Sequence, residues 1–84
     1  MRDRSLLHLR HLPSFTEWAQ EQGWVVEPNK DLYEVLRLRR GKEIAIVHRK
    51  DMAKEHLTVW GTSERLARLF VNKLRAERRD LVNG

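Results

Sequence analysis

Residues 32–60, LYEVLRLRRGKEIAIVHRKDMAKEHLTVW, decide the fold. Residues 32–39 extend as a strand, Arg40 and Gly41 supply a turn, and residues 42–49 return as Ile-Ala-Ile-Val flanked by charge. This pattern predicts a β-hairpin with glycine where a positive φ is needed. The polar run 50–55, KDMAKE, reads as a loop, and residues 56–60 as a last strand ended by Gly61. Upstream, Trp24, Val25 and Val26 are β-prone, whereas Pro28 removes a ladder donor and Asn29, Lys30 and Asp31 carry turn chemistry. A short edge strand is expected there.

A helix is expected on each side of the sheet segment. Ser14 and Glu17 form a Ser-x-x-Glu capping box ahead of Phe15, Trp18 and Ala19, and Gly23 supplies a C-terminal cap, predicting a helix over 14–22. Trp18 is expected as a core anchor, since it repeats at the helical spacing of the other apolar positions. Thr62 or Ser63 is expected to cap a second helix with Leu66, Leu69, Phe70 and Leu74 on its buried face, the charged run 75–80 projecting or fraying beyond it.

The resulting architecture is α+β: a single small domain in the order α-β-β-β-β-α, with an antiparallel three- to four-stranded sheet and both helices on one sheet face. The divisions are a flexible or docked N-terminal arm at 1–12, the domain at 13–79, and a C-terminal tail at 80–84.

Composition narrows the functional classes. Eighty-four residues support one core but not two domains. With 40% hydrophobic and 35% charged residues, wholesale disorder and a membrane span are both excluded as readings. The first twelve residues lack the apolar core and cleavage site of a signal peptide, and cysteine is absent, so a cytoplasmic protein is expected. Seventeen Lys and Arg against twelve Asp and Glu give +5 and a pI near 10.2, a balance that favours anionic partners, although it also serves solubility.

The sharpest charge pattern is on the last helix, where Arg65, Arg68, Asn72, Arg75 and Arg79 step by three and four. Such a stripe suits a phosphate backbone, through counterion release and forked guanidinium contacts. The hairpin adds Arg37, Arg39, Arg40, Lys42 and Arg49. If Leu36, Leu38, Ile44, Ile46, Leu57 and Val59 face the helices, the other sheet face carries Tyr33, Val35, Val47 and Trp60 among arginines, a mixed surface suited to a partner.

The order helix, strands, helix resembles the topology of the double-stranded RNA-binding domain and of the small RNase toxins of the Hic toxin-antitoxin systems. The likeness is topological and carries no site with it. Where the RNA-binding domain has a lysine cluster, this chain reads TSERLAR at 62–68; the toxins' strand histidine has only His48 and His56 as counterparts, outside any motif. Either histidine paired with Glu43 or Glu55 would supply a general base for a toxin-like RNase. His8 and His11, three apart, place two potential metal ligands together, but two are not a site.

The sequence therefore reads as a small basic binding domain without a catalytic motif, cofactor or metal. Nucleic acid is the expected partner, through the arginine-lined helix face and the basic hairpin. The alternative is a small protein of the kind phages and mobile elements encode, binding a host protein, or a second copy of itself, through the open sheet face.

Overall fold

The computed structural model describes residues 6–83, with side chains through Arg78. Met1 to Ser5 of the expected arm, and Gly84, lie outside the described residues. The elements are a 3-10 turn Leu9–His11, α1 Leu12–Glu21, β1 Val25–Glu27, β2 Glu34–Arg40, β3 Glu43–His48 and α2 Thr62–Asn83. Two helices and an antiparallel sheet in the order β1-β2-β3 make a small α+β fold.

α1 begins two residues before the expected Ser14, because the 3-10 turn feeds straight into it and Pro13 occupies the first turn, where its missing N–H costs nothing. Ser14 therefore lies inside the helix and the capping box does not form. The C-terminal end is as the sequence reads: Gly23 has φ 96°, its N–H donates to the Gln20 carbonyl, and the Trp24 N–H donates to Ala19. These two bonds are a Schellman motif, closed by contact between Trp24 and Ala19 in the core.

β2 and β3 are joined by the two-residue loop Gly41-Lys42, with Gly41 at φ 62° and Arg40 opposite Glu43. Counting outward, Leu38 pairs with Ala45 and Leu36 with Val47, so these four share the core face. Ile44 and Ile46 then point away, opposite Arg39 and Arg37, and neither belongs to the core cluster. This overturns the expected assignment, in which Ile44 and Ile46 were buried and Val47 lay on the open face. Val35 is likewise displaced: an irregularity in the pairing between Glu34 and Leu36 turns it against the core while Glu34 joins Arg37.

Residues 56–60 do not form a fourth strand. They make one isolated bridge to β3, Thr58 with His48, and one to the N-terminal segment, His56 with His8. Leu57 N–H donates to the Leu7 carbonyl and Leu9 N–H to Glu55, so the segment is shared between two neighbours and its ladder to β3 stops after one pair. Gly61, at φ 61°, then turns the chain into α2. Ser63, not a terminal cap, staples that turn by accepting from the Trp60 N–H and donating to the Trp60 carbonyl. The backbone of α2 stays helical through the charged run to Asn83.

The core unites Phe15 and Ala19 of α1, Leu36, Leu38, Ala45 and Val47 of the sheet, Leu57, and Leu66, Ala67 and Phe70 of α2. Leu7 is fully buried in it, and Phe15 meets Phe70 edge-on at 5.4 Å with Trp18 alongside. Leu69, expected in the core, is 57% exposed; Ala67 occupies the buried position.

Candidate nucleic-acid interface

An open groove of about 1320 Å³ runs between α2 and residues 54–59. Its α2 wall carries Glu64, Arg68, Val71, Asn72 and Arg75, and its opposite wall Lys54, Glu55, His56 and Thr58. These helix positions step by three and four, so periodicity alone gathers them on one side. At one end, beyond Val71 and Arg75, a smaller pocket of about 360 Å³ adds Arg10, His11, Leu74 and Arg78. The two cavities share Leu6, His8, His56, Val71 and Arg75, so they form one continuous depression.

The N-terminal segment brings the imidazoles into it. Its hydrogen bonds to Glu55 and Leu57 set His8 against His56, with ring centres 5.5 Å apart, and His11 follows at 6.4 Å from His8. His8 is held at both nitrogens: Nδ1 accepts from the Arg10 backbone N–H at 3.1 Å, and Nε2 lies 3.1 Å from Glu55 Oε1. His11 packs edge-on against Phe70 at 6.5 Å. Burial, then the nearby charges of Arg10, His8 and Arg78, hold its pKa below the ordinary imidazole value.

Charge compensation sorts the arginines. Arg37 is only 9% exposed and donates two hydrogen bonds to Glu34, at 3.0 and 2.9 Å, which ties it up as a structural ion pair instead of a phosphate ligand. Arg39 pairs with Glu27 at 2.7 Å. Arg40 lies 3.5 Å from Glu43, donates to the Gln22 carbonyl and covers the Trp24 ring at 4.6 Å. Arg49 donates to the carbonyls of Met52 and Lys54. Lys42 is exposed on the hairpin turn, away from the groove. None of these hairpin residues lines the groove, and the hairpin meets the helix stripe at Glu43, between Arg40 and Arg65.

On α2, Arg65 turns towards Glu43 at 3.5 Å, outside the groove, and Arg68 bonds Glu64 at 2.8 Å. Among the described residues, Arg10, Arg75 and Arg78 have no carboxylate within ion-pair distance. The side chain of Arg79 lies outside the described residues. Arg10, Arg78, Lys54 and the histidine trio had not been assigned to the site. Arg78 was legible, being three residues beyond Arg75; the approach of residues 8–11 to residue 56 spans most of the chain and has no local signal.

The carboxylates expected beside the two candidate general bases have other partners. His48 stacks on Trp60 at 4.7 Å, while Glu43 is engaged by Arg40 and Arg65 and Glu55 by His8. Asp31, Glu34 and His48 each place one potential ligand atom within 4.8 Å of the others. Glu34 is already neutralised by Arg37, however, and Arg37 holds its pKa down at about 2, with help from the Lys30 N–H. A cation there would have to displace a guanidinium.

On the open sheet face, Tyr33 and Trp60 are half exposed. Trp60 has His48 stacked on its ring and the Lys50 ammonium 5.3 Å from the ring centre, so its π-surface is already engaged. Among the described residues, no helix is long and apolar enough to cross a membrane. No protein-family model matches the chain, and neither a curated protein nor a solved structure matches it.

Proposed function

We propose that the chain is a nucleic-acid-binding domain that takes a phosphodiester backbone along the groove between α2 and residues 54–59. The observation that carries this reading is the convergence of uncompensated cations on one concave surface: Lys54 and Arg75 line it without a carboxylate partner, beside Arg68 and Asn72. Each phosphate neutralised there releases counterion, and Arg matches phosphate with a forked donor pair. Contacts of this kind to the backbone position a strand without reading its sequence.

The test is binding of a labelled single-stranded oligonucleotide across a salt series. Affinity falls linearly with log salt, and Arg75→Glu both weakens binding and reduces the slope by about 1. An unchanged affinity and slope in Arg68→Glu, Arg75→Glu would overturn the reading. Ile44 and Ile46, outside the core cluster on the open sheet face, favour a second reading, docking of a protein partner on that face. In that case Ile46→Lys abolishes capture of the partner at high salt, while the groove substitutions leave it intact.

A further inference from the structure

The pocket at the end of the groove differs from the groove in charge density. Arg37, Arg39, Arg40, Arg65 and Arg68 each have a carboxylate partner, and Arg49 is satisfied by carbonyls. The three described arginines left with neither a carboxylate nor a carbonyl partner, Arg10, Arg75 and Arg78, all line this pocket with His8, His11 and His56. The pocket, about 360 Å³, thus holds three guanidinium charges with no carboxylate paired to them, beside three imidazoles that add positive charge only when protonated, and an anion there is favoured.

We infer that this pocket is a phosphate-monoester site that receives the terminal phosphate of a nucleic-acid strand lying in the groove. A bridging diester carries one negative charge and exposes two free oxygens. A terminal phosphate carries up to two charges and three acceptor oxygens, which suits several donors closing on one point. Continuity favours a strand end over free phosphate: the pocket shares His8, His56 and Arg75 with the groove. This step rests on the nucleic-acid reading for the identity of the phosphate carrier, but not for the site itself.

Binding should be coupled to proton uptake. The charged groups facing the imidazoles are Arg10 from the N-terminal segment, Glu55 beside His8, and Arg75 and Arg78 from α2, with Lys54, Glu64 and Arg68 further along the groove. An anion among them favours imidazolium and offsets the repulsion that now opposes protonation of His11. Below about pH 6 the phosphate itself takes up a proton and loses charge, so affinity should pass through a maximum as pH falls.

The experiment compares one oligonucleotide sequence carrying a 5′-phosphate, a 3′-phosphate or hydroxyl ends, titrated against the full chain at pH 5, 6.3 and 8. One phosphorylated form binds about tenfold tighter than the hydroxyl form at pH 6.3, the increment of a single charge-assisted contact. Arg78→Gln and His11→Asn remove that preference. Equal binding of all three oligonucleotides, or a preference that survives both substitutions, overturns the site. Inorganic phosphate, followed by imidazole proton resonances, separates the two proposals. If phosphate shifts His8, His11 and His56 but no oligonucleotide binds, the pocket stands and the nucleic-acid reading, with the strand-end assignment, falls.

Discussion

Glu34 is the carboxylate most strongly fixed by this fold. Its two oxygens accept from the Arg37 guanidinium and one also from the Lys30 N–H, and its pKa falls from 4.5 to about 2. Between those values the unfolded chain binds a proton that the folded chain does not, so acidification favours unfolding. The contribution is fully present above pH 4.5 and gone below about 2. Urea unfolding midpoints of the wild type and Glu34→Gln should therefore differ most at neutral pH and converge towards pH 2. Parallel curves across that range would mean the pair contributes nothing through ionisation. His11 works in the opposite charge sense but the same direction: its lowered pKa means the folded chain resists protonation, so stability falls as pH drops below the ordinary imidazole value of 6.5. His11→Asn should shallow that loss, and added phosphate should do the same for the wild type.

The hairpin shows how much of the sheet can be read from the chain. Its existence and Gly41 follow from local chemistry, but the loop is Gly41-Lys42, one residue later than the expected Arg40-Gly41, because Arg40 still pairs with Glu43. Its inward face does not follow from hydrophobic bulk: Ile44 and Ile46 are larger than Ala45 and Val47 and look like the natural core pair. The turn decides otherwise. A two-residue loop sets Arg40 against Glu43, hence Leu38 against Ala45, and a slip of one residue would reverse every side chain. Counting through the turn would have given the inward face from sequence; ranking side chains by size did not. The irregularity at Glu34 and Leu36, which sends Val35 inward, had no such signal, since it depends on the buried pair with Arg37. The register is testable at the same scale. Ala45→Leu, forced into the packed face, should cost about 1–3 kcal/mol in urea denaturation. Ile44→Thr on the outer face should change stability by about 0.5 kcal/mol or less. Similar costs for both would place β3 the other way round.

At the scale of the whole molecule, the groove and the core are built by the same contacts. Leu7 is fully buried in the core cluster that residues of both helices share, and its carbonyl accepts from the Leu57 N–H while the Leu9 N–H donates to the Glu55 carbonyl. The segment that delivers His8, Arg10 and His11 to the pocket is thus held by Leu7 in the core, by Leu6, Leu9 and Leu12 packed against it, and by backbone hydrogen bonds to residues 55 and 57. An α2 stripe can be found by periodicity, but the wall facing it comes from the other end of the chain and is set only when Leu7 packs. Leu7→Ala should cost about 2–5 kcal/mol, a large share of the roughly 5–15 kcal/mol that holds a domain of this size together. Phe70→Ala should cost about 3–5 kcal/mol by losing its edge contact with Phe15. The two differ in what remains. At low temperature, where both variants stay folded by circular dichroism, Leu7→Ala should release the N-terminal segment and lose the preference for a phosphorylated strand end. It should keep salt-dependent binding along Arg68, Asn72 and Arg75. Retention of the end preference in Leu7→Ala would show that His8, Arg10 and His11 reach the phosphate without their anchor, and that the pocket is assembled by α2 and residue 56 alone.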